Sequence, residues 1–446
     1  MKSSAAAAAG VWGAGAGLSF LPAVSWGRVL GSNDRIHIGV IGTGGQGTYH
    51  VDAITKMSEA ENVKCTHVCD VYRERLNNAM RIIGGGASSG VIEYERLIEN
   101  KDLNAILIAT PDHWHTKMAI EAMDAGKDVY VEKPLSLTVE QAIECRNAVK
   151  RTKRILQVGP QGTSEDRWWK AREAIKGGRI GKVVWSQAAY CRNSRNGQFN
   201  WTIDPKAGPQ GQGEDFVDWD RWLGHKHGLA PKIEWNADHF FRFRKYWAYN
   251  GGVATDLMYH RLAPLLIAIT GADGEYPLRV TAAGGQYIEK DGRDIGDTLM
   301  LMIDYPSEHT IVLASVMVND VGLEDMIRGQ HGTMRPSGNG WKFSEQGVWA
   351  KEFRTANADK VQEKMVKNKE GKEVPDPAHG KAEFEIAGEN RRGHTENFFD
   401  AIRGKAKLNC NIDLGCSTMV AIKMGVEAYR QKKVMTWDAK AEKVVS

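Results

Sequence analysis

The stretch Ile36-His37-Ile38-Gly39-Val40-Ile41-Gly42-Thr43-Gly44-Gly45-Gln46-Gly47 decides the fold of the first half of the chain. From Arg35 it alternates, then runs apolar into the glycines, and an Ala/Ile/Met-patterned helix follows from about Tyr49 to Met57. Strand, glycine turn and helix in that order mark a dinucleotide-binding unit. The glycines are needed because backbone must approach a pyrophosphate closely while helix amides face its charge. Glycine turns are common, so this fingerprint gains weight only from what surrounds it.

A second strand, Val63 to Cys69, ends at Asp70, where a carboxylate accepts hydrogen bonds from ribose hydroxyls and favours NAD over NADP. Arg73 and Arg75 are the opposing detail, since either one is placed to meet a 2′-phosphate, and NADP stays open. Leu103 to Pro111 reads as a buried strand closed by proline. Asp112-His113-Trp114-His115 then opens a helix ending at Gly126, and Asp128 to Val131 leads into Glu132-Lys133-Pro134. Strands alternating with helices imply right-handed crossovers in a parallel sheet, with ligands beyond the carboxyl ends of its strands. Those ends carry Asp70, Thr110 and Lys133.

Working outward, 446 residues suit two domains plus extra segments: 1–33, a Rossmann domain over 34–159, and a second domain over 160–446. A hydrophobic fraction of 42% with 26% charged residues is a globular composition. Fifty-nine basic against 55 acidic residues leave no basic field for nucleic acid, so a small-molecule partner fits better. Fourteen Trp supply flat apolar surface that suits sugars, although most such rings belong to cores. The six cysteines show no CxxC pair and no His partner at zinc spacing, so no metal site is expected. Cys65 and Cys69 lie about 13 Å apart along one strand face, too far for a disulfide. Only Cys410 and Cys416 are placed to pair, and free thiols are the expected state.

Residues 1–33 differ from everything after them. Ala5 to Ala9, Gly-Ala repeats and Leu18-Ser19-Phe20-Leu21 precede a small-residue cleavage pattern at Ala23-Val24-Ser25. This is an export-signal composition, too short and Gly-rich for a stable membrane span. It resembles the later part of a twin-arginine signal, although the chain begins Met1-Lys2-Ser3-Ser4 without the arginine pair. A periplasmic or otherwise exported location is expected, and a cytoplasmic one if the segment is not a working signal.

In the second domain the informative stretch runs from Tyr246 to His260. Asp256 and His260 share a helix face, a spacing that lets a carboxylate orient or support an imidazole suited to proton transfer. Lys182 to Tyr190, Leu278 to Tyr287, Asp297 to Tyr305 and His309 to Val318 read as strands of an open, largely antiparallel sheet. About 351–392 the chain turns charged and lysine-rich, as a partly ordered surface insertion would. Helices from about His394 to Arg403 and Leu414 to Tyr429 pack back on the body.

The glycine fingerprint, Thr110-Pro111-x-x-x-His115, Glu132-Lys133-Pro134 and Gly251-Gly252-x-x-x-Asp256-x-x-x-His260 together resemble the glucose-fructose oxidoreductase and inositol dehydrogenase family, Gfo/Idh/MocA, over most of the chain past its first segment. The resemblance implies an NAD(P)-dependent oxidoreductase moving hydride between a carbinol carbon of a sugar, sugar alcohol or glycoside and nicotinamide. His260 would be the base, Lys133 a donor touching cofactor and substrate, and Asp256 the orienting carboxylate. Cofactor contacts are expected from Gly42, Thr43, Gly44, Gly45, Gln46, Gly47, Asp70, Thr110, Pro111, His113, His115, Glu132 and Lys133. Substrate contacts are expected from Gln161, Arg244, Tyr246 and His115. The sheet's outer face would make a homo-oligomer, a dimer or tetramer. An exported enzyme must retain and recycle its dinucleotide, which brings in a redox-neutral NAD-dependent glycosidase or epimerase. A non-catalytic sugar or nucleotide sensor is the alternative outside catalysis, and it would have lost the proton-transfer residues present here.

Overall fold

Six strands of the first half form one parallel sheet: β1 (Ile36–Ile41), β2 (Val63–Cys69), β3 (Gly90–Val91), β4 (Ala105–Ile108), β5 (Asp128–Val131) and β6 (Leu156–Val158), in the order β3-β2-β1-β4-β5-β6. Helices α1 (Gly45–Lys56), α2 (Arg73–Ile83), α3 (Glu95–Glu99), α4 (Asp112–Asp124) and α5 (Val139–Thr152) make the crossovers. The computed structural model describes residues 35–361, 365–375 and 380–446. The export-signal reading of 1–33 lies outside the described residues.

The order reverses between β1 and β4, so the glycine loop and Thr110 become neighbours at the switch point, where such sheets hold their ligands. Helix α1 begins at Gly45, four residues before the expected start at Tyr49, because the fingerprint's own glycines enter the first turn. The apolar run of β4 is buried on both faces, as a central parallel strand requires.

After α6 (Asp166–Lys176), the second half builds a ten-stranded sheet. Its strands are β7 (Val183–Ala189), β8 (Arg279–Gly285), β9 (Thr298–Tyr305), β10 (His309–Val316), β11 (Met326–Gly329), β12 (Gly332–Ser337), β13 (Gly340–Glu345), β16 (Glu383–Ile386), β17 (Met435–Asp438) and β18 (Lys443–Val445). They run in the order β16-β13-β12-β11-β7-β10-β9-β8-β17-β18, and within it only β7 and β10 pair in parallel. The four expected strands are its centre. The outer strands are short and broken by Gly and Pro, which leaves too little alternation to read. The described residues of the segment about 351–392 contribute most of α10 (Ala350–Ala356), the hairpin β14 (Met365–Lys367) with β15 (Glu373–Pro375), and the edge strand β16 beside β13.

Short helices α7 (Trp219–Leu223) and α8 (Ala237–Phe241) lead to a π-turn over Ala254–Met258 that continues into α9 (Tyr259–Ile269). Helices α11 (His394–Ile402) and α12 (Ile412–Gln431) close the chain back on the first half. Phe398 and Phe399 join the core under β1 and β4, and α12 packs against α5, α9 and β8. One face of β9 buries Leu301 and Ile303, whereas Met300 and Met302 on the other are about half exposed. The six cysteines are free. Among the described residues, no helix is long and apolar enough to cross a membrane.

Candidate active site

The glycine loop is held by backbone geometry. Gly42 has φ +84°, and a Cβ on Gly47 would lie 1.8 Å from the Gly42 carbonyl oxygen, so both positions exclude any side chain. Gly45 faces open space instead, with nothing within 4 Å of an added Cβ. No side chain caps α1 and no acidic residue sits in its first turn, which leaves its N-terminal amides and dipole for a phosphate. Asp70 braces the loop: one carboxylate oxygen accepts from the Thr43 amide at 2.7 Å and its hydroxyl at 3.3 Å, the other from the Tyr72 amide at 2.9 Å. A cleft of about 1010 Å³ runs past Gly42, Gly44, Gly45, Gln46, Asp70, Thr110 and Pro111. The Thr110 hydroxyl on its wall is buried without a partner. An uncapped helix start, an open glycine and an orphaned hydroxyl on one cleft are what a dinucleotide would complete.

Beyond β5 the chain places Glu132 and Lys133 back to back. Glu132 is buried and accepts from His50 at 2.7 Å, Gln161 at 2.9 Å and Gln46 at 3.0 Å. Burial raises its pKa, but the His50 hydrogen bond and charge, with those of Lys133 and Gln46, outweigh it and bring it to about 2. Lys133 points the other way and donates to the Asp256 carboxylate at 3.0 Å and carbonyl at 3.1 Å. The same carboxylate oxygen accepts from Arg244 Nε at 2.8 Å. Burial opposes the charge on Asp256, yet two cations against it hold its pKa well below the usual carboxylate range.

His260 follows on the same helix, where no hydrogen bond joins it to Asp256, although the carboxylate's charge still acts on the ring. The π-turn shifts hydrogen bonding to i→i+5 across Asp256, so side chains four apart lose their α-helical alignment. Lys133 and Arg244 take the carboxylate instead. Among the described residues the His260 imidazole has no hydrogen-bond partner, and its ring lies edge-on to Tyr190 at 6.0 Å. Burial, then the charge of Lys133, lowers its pKa to about 3, so it is neutral at ordinary pH. The turn is tied to the first half through Asp112, which accepts from Asn250 at 2.7 Å and from Thr255 at 3.4 Å.

Four other expected contacts are already engaged inside the protein. Both His115 nitrogens face carbonyls, Pro134 at 2.6 Å and Thr110 at 2.7 Å, so this buried ring struts the Lys133 turn and does not line the cleft. His113 bonds the Trp222 carbonyl at 3.0 Å. Tyr246 donates to Asp238 and stacks on His239, and Gln161 serves Glu132. Arg244 does line the cleft, with its guanidinium over Phe243 at 4.6 Å and Trp201 at 5.1 Å.

Two features escaped the sequence. His50 stands four residues after Gln46 on α1, and that shared face was its only signal. The segment about 199–249 forms its own aromatic core with Tyr72, including Trp219 stacked on Trp222 at 4.9 Å, and it walls the cleft with Trp201, Trp222, Phe240, Phe241 and Phe243. It is fastened to the first half by the Trp114 indole on the Trp222 carbonyl at 2.7 Å, by the Asp218 amide on Val71 at 2.9 Å, and by Arg221 beside Glu95 at 3.4 Å.

A phosphate cradle leading to a Lys, Asp and Arg cluster defines the class: an NAD-binding oxidoreductase fold of Rossmann type. Residues 36–160 match the family model described as the oxidoreductase family's NAD-binding Rossmann fold, and 179–334 match its C-terminal alpha/beta domain. The chain belongs to the Gfo/Idh/MocA family. Levoglucosan dehydrogenase, solved with NADH and levoglucosan, shares the fold at a TM-score of 0.62 and 16% identity, over 90% of this chain and 99% of that one. The WlbA dehydrogenase of Bordetella pertussis, solved with NADH and UDP-GlcNAcA, does so at 0.61 and 16%, over 91% and 99%. Among curated proteins, a glycosyl hydrolase family 109 protein of Solibacter usitatus is 29% identical over 232 residues, 48% of each chain. The matched stretches span about half or less of the curated relatives' length.

Proposed function

We propose that this protein oxidises a carbinol of a sugar, sugar alcohol or glycoside in the space between Lys133, Arg244 and His260. The observation that carries this reading is the convergence of Lys133 and Arg244 on Asp256 beside the end of the glycine-loop cleft. NAD held along Gly42 to Gly47, Asp70 and Thr110 supplies the hydride acceptor. Lys133 Nζ, fixed by Asp256, donates to the substrate oxygen, and a nitrogen of the neutral His260 ring takes its proton. Arg244 orients a neighbouring hydroxyl, while Asp256 acts through Lys133 and Arg244. The homo-oligomer expected from the family resemblance would use the sheet face carrying Trp185, Met300 and Met302, each more than a third exposed.

The aromatic wall and the partial likeness to a glycosyl hydrolase family 109 protein favour a second reading, in which NAD is retained and a glycoside is oxidised, cleaved and re-reduced. One experiment separates the two. Purified protein is assayed for bound dinucleotide by mass spectrometry, then given a panel of sugars and glycosides while reduced nicotinamide and free aglycone are followed. Net reduced nicotinamide supports the dehydrogenase, and aglycone release without it supports the redox-neutral cycle. Failure of every sugar, sugar alcohol and glycoside to turn over overturns both.

A further inference from the structure

His260 is held differently from the buried histidines around the site. His50, His113, His115 and His394 are each fixed by a hydrogen bond, to Glu132 or to a backbone carbonyl. Among the described residues the His260 imidazole makes none, so packing sets its direction. The ring it meets is Tyr190, edge-on at 6.0 Å.

Tyr190 directly follows β7, and its backbone is tied to β10: the amide donates to the Ala314 carbonyl at 3.0 Å, and the carbonyl accepts from the Ser315 hydroxyl at 2.8 Å. Its ring is clamped as well. The Arg192 guanidinium lies 5.0 Å from the ring centroid and donates to the hydroxyl at 3.0 Å. That of Arg261, the residue after His260, lies 5.2 Å from the same centroid and is anchored by Asp325 at 3.3 Å. An aromatic ring on a fixed backbone beside two guanidiniums has little freedom, and it stands against an imidazole that no hydrogen bond aligns.

We infer that Tyr190 is the positioning residue of His260: its clamped ring holds the imidazole in the rotamer that aims a nitrogen at the substrate oxygen, and it keeps water from that imidazole. The inference rests on the reading of His260 as the base. The charged groups acting on the imidazole are Lys133 and Glu132 from the end of β5, Asp256 from its own turn and Arg192 from beyond β7, with Arg261 paired to Asp325 beside it. Substitution of Tyr190 retains all of them, so what it chiefly changes is burial, the largest cause of the lowered His260 pKa.

The test is the titration of the His260 imidazole in the wild type, Tyr190→Phe and Tyr190→Ala. It is followed by NMR of protein labelled in its histidine rings and assigned by the signal lost in His260→Gln. The wild type and Tyr190→Phe should share a midpoint of about 3. Tyr190→Ala, in which water reaches the imidazole, should titrate at least about one pH unit higher. On a substrate that turns over, Tyr190→Ala should lose roughly 10- to 100-fold in kcat, the size of a misplaced reacting group. KM should change less than about threefold, and Tyr190→Phe should keep most of the rate. Should Tyr190→Ala fail to fold, Tyr190→Leu, which fills the space without the flat ring, is read in the same way. The titration needs no substrate, so it judges the hold of Tyr190 on His260 separately from the proposed reaction. An unmoved His260 titration in Tyr190→Ala, an equal loss of kcat in Tyr190→Phe, or a loss carried by KM alone overturns the inference.

Discussion

The two ends of the cleft are built by different means. At the glycine end the backbone specifies the site: a positive φ at Gly42, a contact at Gly47 that admits no Cβ, and an uncapped helix start. At the Arg244 end the cleft meets a set of side-chain charges that come from far apart in sequence and hold one another, as Lys133 and Arg244, of which only Arg244 lines the cleft, hold Asp256. Backbone sites tolerate substitutions of outward-facing groups and fail when a methyl is added at the wrong glycine. Charge clusters fail when one member is lost, because its partner is left as a buried charge without a counter-ion.

Lys133→Ala should have the largest effect, a fall in kcat of roughly 10²- to 10⁴-fold, the size of a lost proton-transfer or oxygen-fixing group. Its Kd for NAD should change far less, and similar losses of both would show that Lys133 serves binding. The wild-type profile of kcat/KM against pH should show no limb from His260 near 6.5, because its pKa is lowered to about 3. Gly47→Ala should destabilise the fold by about 3 kcal/mol or more through overpacking, read from the urea midpoint. Gly45→Ala should leave that midpoint unmoved and raise the Kd for NAD, since only the open cleft receives the new methyl.

Glu132 joins the two ends and supplies a pH test. Its pKa in the fold lies below the ordinary 4.5, so ionised Glu132 stabilises the protein above pH 4.5, and that stabilisation is lost as pH falls toward about 2. Acid unfolding of the wild type should steepen across that window and be shallower in Glu132→Gln, which should itself be about 2 kcal/mol less stable near neutrality. The smallest effect is expected at Arg221, a partly exposed fastener of the aromatic wall. Such pairs contribute up to about 1 kcal/mol, so Arg221→Ala should speed NAD dissociation by no more than about fivefold in stopped flow.

The same division explains what could be read beforehand. Asp70, Thr110 and Lys133 stand at strand ends as expected, because each strand's apolar run and its closing residue are neighbours in sequence. His115 was expected in the cleft because its motif position follows Thr110-Pro111, and nothing local reveals that both its nitrogens meet carbonyls. The α-helical spacing of Asp256 and His260 predicts one shared face, and the π-turn that shifts their alignment, leaving electrostatic support without a hydrogen bond, has no mark in the residue pattern.

By itself, then, the sequence determined the parallel sheet, the glycine loop and the central strands of the second sheet, all of which follow from short-range periodicity and the backbone freedom of glycine. Only the tertiary structure decided that Asp256 serves Lys133 and Arg244, that Glu132 gathers His50, Gln46 and Gln161, and that an aromatic segment about 199–249 walls the cofactor cleft. A buried charge takes whichever partner packing brings within reach, and Lys133 meets Asp256 across 123 residues of chain.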